Sequence, residues 1–205
     1  MIALVDYGAG NLTSVRKALR HLGARFATPA TPAEMAGASA IIVPGVGNFE
    51  ATTALAPDWR DRIAAAVAGG TPLLGICVGL QWLFEGSDEA PGVAGLAAMS
   101  GTCALIRGDE YDGFGRFKVP HVGWNSLHVR RDSWLLAGVR EGDQVYFTHS
   151  YAAPVTAACV ASTRYGVDFA SAVQRDHVAG VQFHPEKSGA VGLRILGNFL
   201  EQVAA

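Results

Sequence analysis

The sequence predicts an α/β protein: a central mixed, mostly parallel sheet flanked by helices, with antiparallel strands in the C-terminal half, all in one domain spanning residues 1–205. Three observations predict it. Short apolar runs alternate with helix-spaced segments through the first third of the chain, as buried parallel strands with crossover helices do. From Met99 onward the pattern changes to apolar stretches joined by turn residues, the pattern of antiparallel pairing. A chain of 205 residues, 50% of them hydrophobic, suits one compact core and has no room for a second of similar size.

In order, residues 2–5 form the first buried strand, closing at Asp6-Tyr-Gly-Ala-Gly10. Asn11 is a good N-cap for a helix whose apolar face is Leu12, Val15, Leu19 and Leu22, and Gly23 stops it. Residues 24–27 are a short second strand, Thr31-Pro-Ala-Glu34 is a capping box with proline at the first helical position, and residues 40–43 are a third buried strand. Helices are expected over 50–56 and 59–68, ended by Gly69-Gly70. After the strand at 72–76, residues 78–84 keep helical spacing, and 85–92 read as a polar loop. Residues 118–129, 144–151, 158–165 and 170–183 read as β, the last with a turn at Arg175-Asp176, and 193–203 close the chain as an amphipathic helix.

The chemistry gathers at Gly75-Ile-Cys-Val-Gly79. Cys77 falls at a strand-to-helix turn, with a glycine two residues either side, the small-residue frame that lets a nucleophile sit on a strained elbow above a sheet. The following helix aims backbone N–H groups and its positive end at the sulfur, which favours thiolate and offers donors to an oxyanion. A lone cysteine in an apolar stretch is more often a small core residue, and Cys103 and Cys159 are read that way.

A partner for the thiol lies far along the chain in Val181-Gln-Phe-His-Pro-Glu-Lys-Ser188. His184 ends an apolar run, kept from helical geometry by Pro185. An extended His-Pro-Glu would set His184 and Glu186 on the same side, because strand side chains repeat every second residue. Cys77 as nucleophile, His184 as proton carrier and Glu186 as the group that fixes the imidazole make a generalised triad. The Pro44-Gly-Val-Gly-Asn48 loop is the second place to look for site residues, since two glycines let a peptide approach a ligand, flip, and present an N–H. It fails as a dinucleotide fingerprint because the third glycine is missing.

Composition excludes several classes. Sixteen basic against eighteen acidic residues leave no basic stripe, which argues against nucleic-acid or membrane surfaces. No apolar run approaches a transmembrane length, and Met1-Ile-Ala-Leu-Val runs straight into a strand pattern with no basic leader, so a cytoplasmic location is expected. Three scattered cysteines make neither a disulfide framework nor a CxxC metal pair, so no metal and no cofactor is expected.

With the elbow, the distal His-Pro-Glu and the Pro-Gly-Val-Gly loop, the chain resembles the class I, triad-type glutamine amidotransferases over essentially its whole length. Within them it is similar to the glutaminase subunits of imidazole glycerol phosphate synthase, through Tyr7-Gly-Ala-Gly-Asn-Leu12 with Ser14-Val15, Pro44-Gly-Val-Gly47, Pro120-His-Val-Gly-Trp-Asn125, Phe147-Thr-His-Ser-Tyr151 and His184-Pro-Glu-Lys-Ser188. The resemblance implies hydrolysis of glutamine to glutamate and ammonia. Cys77 attacks the carboxamide, and His184 protonates the departing ammonia and then activates water. N–H groups of Val78 and of Gly45, Val46 and Gly47 hold the oxyanion. It further implies that Gln81, Glu89 and the backbone around Ser150 and Tyr151 meet the amino-acid end of glutamine.

Ammonia escapes readily in water, so such a subunit makes sense docked to a consumer. The family's partner is a separate β/α-barrel cyclase that turns PRFAR and ammonia into imidazole glycerol phosphate and AICAR. Asn11, Lys118, Trp124 and Lys187 match positions at or near that interface. His121 is expected to be structural rather than catalytic, and Asn48 stands where the family commonly has alanine. The competing readings are a glutaminase of the pyridoxal phosphate synthase type, whose Gly-Gly-Glu-Ser segment is missing here, and a catalytically silent scaffold, which the intact Cys77, His184 and Glu186 disfavour.

Overall fold

The computed structural model describes residues 1–55, 57–107 and 118–204, and of Ala204 the backbone alone. Thirteen strands are seen among these residues: β1 Ile2–Leu4, β2 Phe26–Ala27, β3 Ala40–Gly45, β4 Leu73–Cys77, β5 Gly86–Ser87, β6 Thr102–Leu105, β7 His121–Ser126, β8 His128–Val129, β9 Gln144–His149, β10 Tyr151–Ala152, β11 Cys159–Tyr165, β12 Val167–Arg175 and β13 Val178–Val181. Four α-helices accompany them: α1 Leu12–His21, α2 Pro57–Ala68, α3 Val78–Trp82 and α4 Gly189–Ala204. The main sheet has the order β2-β1-β3-β4-β13-β12-β11-β8. Its half from β2 to β13 is parallel and its remainder antiparallel, as the sequence predicts.

The parallel strands are apolar on both faces because both faces are covered. Strand alternation sends Ile2, Leu4, Ile42, Leu74 and Ile76 into one core with Val15, Leu19, Ile195, Leu196 and Phe199 of α1 and α4. Ala3, Val5, Ile41, Val43 and Leu73 go to the opposite core with Ile63, Leu80 and Leu83. Removing any of the fully buried leucine or isoleucine side chains from water contributes about 1.5–3 kcal/mol, so the two cores hold the central strands rigidly. The carboxyl ends of β3, β4 and β13 therefore form one fixed rim.

Several elements differ from expectation. Asn11 precedes α1 but its side chain makes no capping bond. The capping box opens a 3-10 turn over Pro32–Met35, and Glu34 reaches one residue further back, accepting from the Ala30 N–H at 2.9 Å. The helix expected at 50–56 is a 3-10 helix, Phe49–Ala54, capped by the Asn48 side chain, which accepts from the Ala51 N–H at 3.1 Å; Ala56 lies outside the described residues. The segment read as a polar loop at 85–92 contains β5, which pairs in parallel with β6. A short strand with one small and one polar residue carries no legible period.

Candidate active site

Cys77 sits at φ 55°, ψ −108°, between β4 and α3. A non-glycine residue there costs on the order of 1–3 kcal/mol and persists only where neighbours enforce it. Here the two glycines do so by allowing close approach. A Cβ on Gly79 would lie 1.8 Å from the Val43 carbonyl oxygen, and one on Gly75 would lie 2.5 Å from that of Gly79. Gly79→Ala is expected to displace the elbow from β3 and to cost about 1–3 kcal/mol of stability; a thermal melt of that variant matching wild type would contradict the close approach. The helix after Cys77 is five residues long, shorter than residues 78–84 predict, and winds on through 3-10 bonds from Leu83 and Phe84.

His184 reaches the same rim because β13 pairs with β4 in parallel, with Val181 opposite Ile76. Its backbone is pinned on both sides. The His184 N–H donates to the Tyr146 carbonyl at 2.9 Å, and the Ser188 hydroxyl donates to the His184 carbonyl at 2.6 Å while accepting from the Tyr146 N–H at 2.9 Å. His184 itself is extended, but Pro185–Lys187 is a 3-10 turn rather than the extended segment expected, since proline is well suited to a first helical position. The turn still brings Glu186 home: its Oε1 lies 2.9 Å from Nδ1 of His184, with both side chains almost wholly buried.

The electrostatics follow from that pairing. Burial disfavours the imidazolium, but the neighbouring Cys77 sulfur and the hydrogen-bonded Glu186 carboxylate outweigh it and raise the His184 pKa to about 9. Nε2 of His184 has no aligned hydrogen bond, although the sulfur is near enough to bias its titration, and Oε2 of Glu186 is likewise unpartnered. Behind the elbow, burial pushes the Tyr7 phenol well above its ordinary range, and the charge of Cys77 adds to that. Cys103 and Cys159 are the buried core residues expected, and burial raises both thiols, Cys159 to about 11.

Cys77 is only 3% exposed, yet it opens into a cavity of about 250 Å³ lined also by Val46, Gly47, Val78, Gln81, Glu89, Ser150 and Tyr151. Gly45 lies outside the lining, packed toward Tyr7 and Val78. The Val46 N–H is turned away from the cavity's chemistry, donating to the Ala9 carbonyl at 3.1 Å. Glu89 is held by the Phe49 N–H, which donates to its Oε2 at 2.7 Å. Of the expected interface residues, Trp124 is 54% exposed and meets Tyr146 edge-on, and Lys187 lies over the same ring with Nζ 5.9 Å from its centre. The Lys118 carbonyl accepts from the Tyr165 hydroxyl at 2.8 Å, and Asn11 stands half-buried at the start of α1.

Sequence reasoning missed two buried polar residues at the site, Gln182 and His149. Gln182 directs its Nε2 toward Sγ of Cys77 at 3.8 Å and its Oε1 toward Nε2 of Gln81 at 3.3 Å. His149 lines the cavity and bonds to His121. A polar residue inside the apolar run Val181-Gln-Phe183 was the available signal for Gln182; His149 stands inside the Phe147-Thr-His-Ser-Tyr151 motif, but nothing local gives it a role. Among the described residues no cluster of His, Cys, Asp and Glu could hold a metal ion, and no helix is long and apolar enough to cross a membrane.

The family model for class-I glutamine amidotransferases matches residues 3–203. The chain is 42% identical over 206 residues to the imidazole glycerol phosphate synthase subunit HisH of Methanothermobacter thermautotrophicus, covering 100% of both chains. It is 46% identical to HisH of Geobacillus thermodenitrificans, covering 98% of this chain and 95% of that one, and 45% identical to HisH of Thermococcus kodakarensis, covering 97% and 98%. Among solved structures, a glutamine amidotransferase superposes with a TM-score of 0.74 at 20% identity over 100% of this chain and 99% of that one. The glutaminase domain of Trypanosoma brucei CTPS with bound acivicin does so with 0.63 at 16%, over 98% and 93%; at such identities these two speak for the fold. The motifs, the fold and the full-length relatives agree: the chain belongs to the class-I glutamine amidotransferases and, within them, to the HisH family.

Proposed function

We propose that this chain hydrolyses glutamine to glutamate and ammonia at Cys77 and passes the ammonia to a separate cyclase subunit, which uses it to convert PRFAR into imidazole glycerol phosphate and AICAR. The observation that carries the reading is the meeting of a strained thiol, a histidine and a carboxylate at one rim, beside a cavity sized for an amino acid. The glutamine carboxamide lies over Sγ. Cys77 gives its proton to His184 and adds to the carbon, the oxyanion takes N–H donors from Val78 and the Gly45-Val46-Gly47 loop, and His184 passes that proton to the nitrogen as the C–N bond breaks and ammonia departs. His184 then draws a proton from water, which cleaves the thioester. Gln81, Glu89, Ser150 and Tyr151 hold the amino-acid end.

The resting loop has a cost for this chemistry. Val46 can offer its N–H only after giving up the Ala9 carbonyl, so the free chain idles. The cyclase is proposed to dock on the exposed Val119, Val122 and Trp124, which are 43%, 57% and 54% exposed, near Lys118 and Lys187, with Asn11 at the edge. Trp124 and Lys187 share Tyr146, whose carbonyl holds the His184 N–H, so a partner pressing there bears on the site. Glutamate release, measured with and without the cyclase, is expected to be low alone and to rise at least about tenfold in the complex, the scale of a modest coupling free energy. Vigorous hydrolysis by the isolated chain would contradict the hidden donor, and no glutamate from the complex would sink the reading.

A further inference from the structure

Four polar groups beyond the proposed triad form a continuous line out of the cavity wall. His149 places Nδ1 2.9 Å from the Tyr151 carbonyl oxygen and Nε2 3.1 Å from Nδ1 of His121. Nε2 of His121 is 3.3 Å from Nδ2 of Asn125, which also donates to the Arg164 carbonyl at 3.1 Å. Asn125 Oδ1 accepts from the Ser126 N–H at 2.8 Å, so both ends of that amide are assigned.

The proton positions along this line are determined by its two ends. A carbonyl only accepts, so His149 carries its proton on Nδ1 and presents a lone pair at Nε2. His121 must then donate from Nδ1, leaving its Nε2 to accept from Asn125, as the amide assignment independently demands. Any additional proton would set two donors against each other. Burial enforces the neutral forms, lowering the pKa of His121 to about 4 and of His149 to about 3. His121 is further held between the rings of Phe147 and Tyr165, stacked at 4.8 and 4.0 Å.

The line ends on a hub. The Tyr151 carbonyl also accepts from Nε2 of Gln81 at 2.9 Å, while that same nitrogen donates to Gln182. Both amide hydrogens of Gln81 are thereby used, and its buried Oε1 is left without a partner. The carbonyl thus decides which end of the Gln81 amide is free, namely an acceptor, the type that suits the ammonium of an amino acid. The second lone pair of that carbonyl is occupied by His149, which stops it from turning.

We propose that His149 and His121 are positioning residues: a one-directional pair of neutral imidazoles, anchored on β7 by Asn125, that holds the Tyr151 carbonyl and through it aims Gln81 Oε1 at the glutamine ammonium. This rests on the glutaminase reading for the ligand's identity. A pair serving only to pack β7 on β9 would leave glutamine affinity unchanged once folding is intact.

The test measures glutamine affinity by calorimetry on the full chain with its cyclase, in a Cys77→Ala background, alongside steady-state KM and kcat with Cys77 present. His149→Phe keeps the bulk and loses the donor; His149→Asn restores a nitrogen near the Nδ1 position. The expected result is an about tenfold weaker Kd and higher KM for Phe with kcat within about twofold, and recovery to within about threefold for Asn. Equal affinity in Phe and wild type, or equal losses in Phe and Asn, would overturn it. Should His149→Phe fail to fold, His121→Phe against His121→Asn gives the same comparison one link out. A wild-type complex that binds glutamine, and binds it less well with His149→Phe, but releases no glutamate would refute the hydrolysis and leave the positioning pair standing.

Discussion

Cys77→Ala in the complex is expected to lower glutamine-dependent synthesis by about a millionfold, the scale on which a triad fails without its nucleophile, or about 8 kcal/mol of barrier. Synthesis from added ammonia is expected to continue near the wild-type rate. The argument is one of separation. On the proposed reading the thiol works at the elbow between β4 and α3 and ammonia is consumed on another subunit, so deleting one sulfur would remove the source and not the sink. Alanine also tolerates the site: it is smaller than cysteine, keeps a Cβ, and asks nothing new of the φ of 55° already adopted there. Assaying both nitrogen sources on one preparation checks this, and loss of ammonia-dependent synthesis as well would mean that the substitution had damaged the assembly rather than the chemistry.

The second large effect is expected from Glu186→Gln, a loss of up to about 10⁴-fold in kcat, as when the buried carboxylate of a related triad becomes an amide. Glu186 accepts from Nδ1 of His184, so the imidazole turns its basic Nε2 toward the sulfur. A glutamine in its place donates as readily as it accepts and carries no charge. The histidine then takes either tautomer, and an imidazolium formed in the reaction has no counter-charge. The same substitution has an equilibrium signature. Burial lowers the His184 pKa while Cys77 and Glu186 raise it to about 9; without the Glu186 contribution the titration midpoint moves down toward 6.5.

The sign of the linkage is fixed by that shift. A proton held more tightly in the folded state stabilises it fully below the unfolded value of 6.5, and that contribution is lost as pH rises through about 9. Wild type should therefore lose stability between pH 6.5 and 9, and Glu186→Gln should lose less across the same window. Following the His184 ring protons by NMR, with melts at both ends of the range, measures both. An unmoved midpoint would show that Glu186 does not govern the imidazole.

The elbow was legible because its requirement is local. Two glycines flanking a cysteine can be read from five residues, and the 1.8 Å separation between a Cβ on Gly79 and the Val43 oxygen supplies the steric reason. The apolar strands were legible for a similar reason, since burial on both faces writes itself as an unbroken run. What was misread was short or context-bound. The 3-10 turns at 32–35, 49–54 and 185–187 lack the length to show a period, and β5 consists of two residues recognisable only by their partner strand.

By itself the sequence determined the fold class and singled out Cys77, His184 and Glu186 as the candidate triad, because each is carried by residue types in a short fixed order. Only the tertiary structure decided that Val46 rests with its N–H on Ala9, that Gln182 faces the sulfur, and that His121 meets His149. The last depends on β7 and β9 pairing with His121 opposite His149, 28 residues apart in the chain. Register between distant strands is set by the packing of whole sheets, and no local pattern encodes it.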